Sequence, residues 1–344
     1  MITIKKIRCE ILSPIHIGSG KEINPLEYII RDGWLYKISL EKFVSDMDET
    51  GRAKFEAVIE KGHLIKLREF MAKHINIERD IVYSVKVSQA IEGMYGEKFG
   101  DIRNRLLMKP FLRTQNETTP LIPGSSFKGA VRTAIISELA KEKRPPKPKN
   151  FRDERMFESA VMGHDDAKND PFRALKIRDS LLQGESTQIR IVENVSKGKD
   201  GVLSPTGVQI ICETTHSILT GTPVQFETEF LFDDLLFKKG FVREKITPER
   251  IVEACNAFYR PKMEMEHEKF YKNSEAEFPS KQLLEVPLEA NSFLIRLGRF
   301  SSVESVTLDE YRNPRPPGKR SVWGRSRNII EGRYPMGWVK ATFV

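Results

Sequence analysis

A chain of 344 residues can bury a sizeable core and suits two domains more naturally than one. With 39% hydrophobic and 30% charged residues, and no apolar run near the roughly 20 residues that a bilayer demands, it reads as a globular, cytoplasmic protein with no membrane partner. The 56 Lys and Arg against 48 Asp and Glu leave a net charge of +8, which favours a polyanionic partner, and Cys9, Cys212 and Cys255 are too scattered, with no C-x-x-C pair, for a zinc knuckle or a disulfide framework. The first residues alternate polar and apolar without a secretory pattern, so the thiols are expected to be reduced.

Residues 7–11 alternate as a strand does, and residues 34–38 form a second short one. Between Leu40 and His74 the period turns helical. Phe55, Val58 and Ile59, then Leu64, Leu67 and Phe70, recur at three- and four-residue steps, broken near Gly62, so two or three packing helices are expected. A glycine- and serine-rich loop over 124–129 opens a further helix, with Val131, Ile135 and Leu139 on one face and Arg132 off it. The Lys- and Pro-rich stretch from 141 cannot continue that helix, and an exposed basic insertion is expected over about 141–172. Residues 187–195 and 207–214 read as a long, projecting β-hairpin with a basic, glycine-containing tip. Val224, Phe226, Thr228 and Phe230 alternate with polar residues in another strand, Thr247 and Pro248 start a helix as cap and first residue, and residues 293–297 and 337–343 supply late strands. This α+β order suits two ferredoxin-like, RRM-related domains, 1–233 and 234–344, with helical insertions.

The most informative stretch is Leu121-Ile-Pro-Gly-Ser-Ser-Phe-Lys-Gly129, running into Ala130-Val-Arg132. The first N–H groups of a helix have no internal partner, and the macrodipole puts partial positive charge there, so such a place can hold a phosphate. Gly124 and Gly129 have the spacing of a nucleotide triphosphatase loop. Ala130, however, stands where that loop needs its lysine, which excludes the reading. The plain alternative is a turn in which Ser125 or Ser126 caps the helix.

The full string resembles the signature of the RAMP superfamily, the RNA-binding subunits of CRISPR effector complexes. Leu12-Ser-Pro-Ile-His-Ile-Gly-Ser-Gly20 with Pro25-Leu-Glu-Tyr-Ile-Ile30, and Tyr334-Pro-Met-Gly-Trp-Val-Lys340, are similar to the two ends of the fifth-subunit branch of type III-A Csm systems. Leu294-Ile-Arg-Leu-Gly-Arg-Phe-Ser301 sits where the family has a short glycine-containing loop. The resemblance implies a RAMP fold that binds CRISPR RNA, caps the 3′ region of the single-stranded guide beside the repeated backbone subunit and other Csm subunits, and supports trimming by a separate nuclease, with no cofactor or metal.

The residues expected to hold the guide follow from motif and charge together. Gly124, Ser125, Ser126 and Gly129 offer backbone N–H groups, and Lys128 and Arg132 add charge. Gly18 and Gly20 let a strand approach closely, beside His16, Ser19 and Lys21. Arg296 and Arg299 and the basic, aromatic run containing Lys319, Arg320, Arg325 and Arg327, with Trp323 and Trp338 near it, extend the groove through phosphate contacts and stacking. A solvated basic tail with core aromatics is the plainer account of that run.

An enzyme reading needs a catalytic set. None of the six histidines forms an H-E-x-x-H pattern or pairs with cysteine at metal-ligand spacing, and the His164-Asp165 doublet lacks further ligands in a helical frame. His16 is the candidate acid–base for metal-independent cleavage of repeat RNA, against a structural histidine between Ile15 and Ile17. Target-cleaving relatives carry an aspartate in the loop after the glycine motif. Here the loop is Lys21-Glu-Ile-Asn24, which argues for binding without cutting.

Overall fold

The computed structural model describes residues 2–101, 106–114, 116, 118–148, 151–198, 200–312 and 324–344, with backbone alone for 151–155. Its strands are β1 (Ile2–Ile11), β2 (Tyr28–Arg31), β3 (Trp34–Ile38), β4 (Ile81–Val87), β5 (Met108–Lys109), β6 (Leu121–Ile122), β7 (Leu175–Ile177), β8 (Ser180–Leu181), β9 (Thr187–Lys197), β10 (Leu203–Thr215), β11 (Gln225–Asp233), β12 (Ser292–Arg296), β13 (Ser326–Ile330) and β14 (Trp338–Phe343). Its helices are α1 (Leu40–Ser45), α2 (Glu49–Glu60), α3 (Leu64–His74), α4 (Gln89–Lys98), α5 (Gly124–Lys143), α6 (Phe151–Met162), α7 (Asp234–Lys238), α8 (Pro248–Glu266), α9 (Glu277–Leu284) and α10 (Val303–Val306).

β1 turns Ile7, Cys9 and Ile11 inward and Lys6 and Arg8 outward, the two-residue period of a half-buried strand. It lies inside an antiparallel sheet of order β12-β14-β1-β11-β7. α5 and α8 pack against each other and against this sheet, and Phe127, Val131, Ile135 and Leu139 of α5 join Ile251, Cys255 and Tyr259 of α8 in the main core. A second sheet has the order β2-β3-β4-β9-β10-β5, with β13 added to β9. α1–α3 close a separate core around Phe43, Phe55 and Met71 on the β2–β3 side, as the helical period predicts.

Several sequence expectations change here. The division near Asp233 does not coincide with a gap between sheets. β1 sits between β11 and β14, and β13, from the C-terminal side, completes the sheet built by β9 and β10. The stretch 141–172 is not one exposed loop. α5 runs on to Lys143, α6 follows, and Val161, Met162 and Phe172 are buried in the main core. The hairpin is present as β9–β10; β4 and β13 pair with β9 along its length, whereas β5 pairs only with Ile211 and Cys212 of β10, so among the described residues the outer edge of β10 over 203–210 is unpaired and mostly exposed. The described part of the basic C-terminal run, residues 324–340, is not a solvated tail. β13 lies within it, and Trp338 is buried with its ring 6.3 Å from that of Tyr259.

Candidate nucleic-acid interface

The exit of β1, the exit of β12 and the entry of β14 are stitched together by backbone hydrogen bonds. Leu12 N–H donates to Trp338 O, Gly337 N–H to Pro14 O, Leu297 N–H to Gly337 O and Arg299 N–H to His16 O, all between 2.8 and 3.0 Å. Gly298 makes the last of these possible. Its φ is +93°, and a Cβ there would sit 2.6 Å from His16 O. The stitching brings the glycine motif near the N-terminus and the Arg299 turn to one place.

The N-terminal half of α5 forms the opposite wall. The helix starts at Gly124, so residues 124–129 are its first turns rather than a loop. Neither Ser125 nor Ser126 caps it. Asp179, between β7 and β8, accepts the Gly124 N–H at 2.8 Å and takes the helix end that a phosphate was expected to take. Gly124 itself is buried against β7. What α5 presents instead is a face of small residues, Ser125, Ser126, Gly129, Ala130 and Thr133, spaced at four-residue steps.

These elements enclose a cleft of about 550 Å³, lined by that α5 face, by Ile17, Gly18 and Gly20, and by residues 296–299 with Ser301 and Ser305. Arg299 is its exposed cation. Apart from the Phe300 ring at 5.9 Å, its guanidinium has no hydrogen-bond or ion-pair partner among the described residues. A cleft with little side-chain bulk, several hydroxyls and one free guanidinium fits a sugar–phosphate backbone. Among the described residues, no three His, Cys, Asp or Glu side chains gather as a metal-binding group.

The other predicted residues are placed differently. Ser19 and Lys21 face away from this cleft into a neighbouring one of about 430 Å³. Lys128 and Arg132 lie on the flank of α5. Arg132 is held by Glu158 at 3.0 Å and Asp170 at 2.8 Å. Burial lowers the Lys128 ammonium pKa, with nearby Asp170 opposing the shift. Arg296 and Arg327 are turned inward. Glu266, 1% exposed, meets Arg296 Nη1 at 2.6 Å and Arg327 Nε at 2.6 Å, and Arg327 Nη2 lies 3.1 Å from Glu304. The charge pattern alone pointed to phosphate contacts for both. The fold supplies internal carboxylates, so they are corrected to interior ties. Arg325 is exposed just before β13. Lys319 and Arg320 lie outside the described residues, as does Trp323.

His16 is 1% exposed. Its Nδ1 donates to Glu213 O at 2.7 Å, its ring lies 5.5 Å from that of Phe300, and its Nε2 is buried without a hydrogen-bond partner among the described residues. It supports the cleft from beneath and offers no nitrogen to a bound strand, which corrects its place among the RNA contacts. Burial drives its pKa down to about 4; the Glu213 carbonyl opposes, and Arg299 and Lys109 add to the depression. The unfolded chain therefore binds more protons than the folded one between about pH 4 and 6.5, so stability rises with pH across that window and is lost on acidification. A loss of up to about 3 kcal/mol from this one ring is expected on going from pH 7 to below pH 4. Denaturant midpoints along a pH series check it. The slope should flatten in His16→Asn, and an unchanged slope would show that the ring is not held neutral.

Sequence reasoning missed Asp179, Glu213 and Thr133. Asp179 and Glu213 act across long sequence separations, and no local pattern marks a carboxylate whose partner is 55 or 100 residues away.

Comparison with known proteins agrees with this architecture. The RAMP superfamily profile matches residues 8–303. The protein described as CRISPR system Cms protein Csm5 from Methanocaldococcus jannaschii is 34% identical over 193 residues, 52% of this chain, and the chain spans only 44% of that relative's length. A chain of the cryo-EM structure of a Csm–crRNA–target RNA ternary complex in a type III-A CRISPR-Cas system superposes with a TM-score of 0.72 at 19% identity, covering 99% of this chain and 100% of that one. The crystal structure of T.onnurineus Csm5 gives a TM-score of 0.67 at 20% identity over 96% of this chain and 99% of the other. The fold, the signature helix with its small-residue face and the match over most of the sequence together place this chain in the RAMP superfamily.

Proposed function

We propose that this chain is an RNA-binding subunit of a type III-A CRISPR effector of the Csm kind, and that it holds the 3′ region of a single-stranded CRISPR RNA beside the repeated backbone subunit without cutting it. The observation that carries this reading is the convergence, in one cleft, of three segments far apart in sequence. They are the glycine motif at 18–20, the small face of α5 and the Arg299 turn. The guide's backbone lies against that small face, with Arg299 and the cleft hydroxyls on its phosphates and 2′-hydroxyls. Backbone recognition suits a guide whose sequence differs from one complex to the next. Binding without cutting is supported by the missing aspartate at 21–24 and by the burial of His16. The order β14-β1-β11-β7, with α5 between β1 and β7 and α8 between β11 and β14, supports reading this sheet as a ferredoxin-like unit carrying insertions.

The test is a gel assay of the purified chain, alone and in the assembled complex, with end-labelled single-stranded RNA, chelator and a salt series. Intact RNA should shift, with affinity falling as salt rises, and Arg299→Ala should reduce the log–log salt slope by about 1. Discrete products in chelator would overturn binding without cutting. RNA retention that Arg299→Ala leaves untouched in the complex would overturn the placement of the guide in this cleft.

A further inference from the structure

The glycine motif is a wall shared by two clefts. Gly18 and Gly20 face the first, while Ser19 and Lys21 line the second, together with Lys37, Tyr83, Leu112 and Arg113. The wall is a single chain, tied to the next segment by the bridge between Gly18 and Phe111. A strand seated in the first cleft therefore has one peptide's width to cross before a base reaches the second.

The second cleft is built with fixed parts. Arg113, its side chain 7% exposed, stacks with its guanidinium carbon 3.9 Å from the centre of the Tyr83 ring. It donates to Thr118 O at 2.8 Å and is ion-paired with the fully buried carboxylate of Glu213, which also accepts Thr187 Oγ1 at 2.7 Å and the Phe111 N–H at 2.9 Å. The same Glu213 holds His16 under the first cleft through its carbonyl, so one residue sets both sites. Arg113 Nε is buried and, among the described residues, has no hydrogen-bond partner.

The lining chemistry distinguishes between possible occupants. Lys21, Lys37 and Arg113 bring positive charge, but Glu22 and Glu27 stand among them, with Glu27 3.0 Å from Lys37. A phosphate would meet those carboxylates at close range and be repelled. A nucleobase is uncharged, carries donors and acceptors on one edge, and has flat faces for an Arg–Tyr stack. Its size suits a cleft in the usual range for small ligands, about 300–1,000 Å³.

We infer that the second cleft takes a single unpaired nucleobase, splayed from the strand whose backbone occupies the first cleft. This rests on the RNA-binding reading above and adds a contact that holds the strand in register. Stacking is tolerant of base identity, so the pocket suits any guide sequence.

An abasic scan tests it. The full chain is titrated with a short single-stranded RNA and with versions each lacking one base. Loss of one base should weaken binding about tenfold at a single position and little elsewhere. That dip should vanish in Tyr83→Ala, which removes the stacking platform, and in Ser19→Trp, which plugs the cleft from an exposed position and keeps the test valid if Tyr83→Ala misfolds. In Arg299→Ala all the RNAs should bind more weakly while the dip persists. A flat scan with Arg299-dependent binding intact would overturn the base pocket and leave the proposed function standing. A dip that survives both Tyr83→Ala and Ser19→Trp would place the base elsewhere. Failure of every RNA to bind, both to the chain alone and in the assembled complex, would overturn both readings.

Discussion

Replacing Gly124 by alanine is expected to destabilise the protein by about 3 kcal/mol, the upper end of overpacking costs, while the same change at Gly129 stabilises it by about 0.5–1 kcal/mol. The two glycines share one helix and one motif, yet their surroundings are opposite. A Cβ at Gly124 would sit 2.0 Å from Ile177 O and 2.6 Å from its carbonyl carbon. Those are backbone atoms of β7, so no side-chain rotation relieves the clash, and any shift also stretches the Gly124–Asp179 hydrogen bond. A Cβ at Gly129 meets nothing within 4 Å, and in the interior of α5 it lowers the backbone entropy lost on folding. That methyl group would, however, project into the 550 Å³ cleft. Gly129→Ala should therefore melt at a higher temperature than the native chain and bind single-stranded RNA more weakly. Equal melting temperatures for the two variants would show that α5 does not dock on β7 as closely as described, and undiminished RNA binding by Gly129→Ala would remove the small face of α5 from the interface.

Arg327→Ala and Arg299→Ala should separate just as widely, although both remove one arginine. Arg327 is 2% exposed, its guanidinium carbon lies 4.0 Å from the centre of the Phe270 ring, and it meets Glu266 and Glu304. Its loss leaves two buried carboxylates with Arg296 as the remaining cation, and a cost of about 3–5 kcal/mol is expected. Arg299 is exposed and tied to no carboxylate among the described residues, so its loss should move stability by no more than about 0.5 kcal/mol. Denaturant melts read the first effect and RNA titrations the second. If Arg327→Ala were as stable as the native chain, the Glu266 network would not hold β12, β13 and α8 together as the geometry indicates. The network also explains why β13 was invisible in the sequence. Its five residues begin in a run of basic and glycine residues, and the acids that neutralise it lie on α8 and α10.

Periodicity carried most of the elements. The alternation of β1, the helical steps of α2 and α3, the cap at Thr247 with Pro248 beside it, and the β9–β10 hairpin all depend on neighbours within one or two turns, and each appears close to where the pattern puts it. The short β5, β6 and β8 have no such signal. Two or three residues cannot show a period, and these strands exist because a partner strand supplies their hydrogen bonds.

The sequence by itself determined the charge balance, the mixed α+β class, the signature string and the glycine positions that allow close approach, because each is local or a sum over the chain. Only the tertiary structure decided which cations face outward. Arg296, Arg299, Arg325 and Arg327 are chemically identical and close in sequence, yet the two that meet Glu266 are drawn inside while the other two remain exposed. The same holds for the helix end that the sequence offered to a phosphate and the fold gave to Asp179, and for His16, whose buried ring is neutral near pH 7 because the surrounding elements keep water from it. A side chain's type is written in the sequence, but its hydration and its partner depend on which distant segments pack beside it.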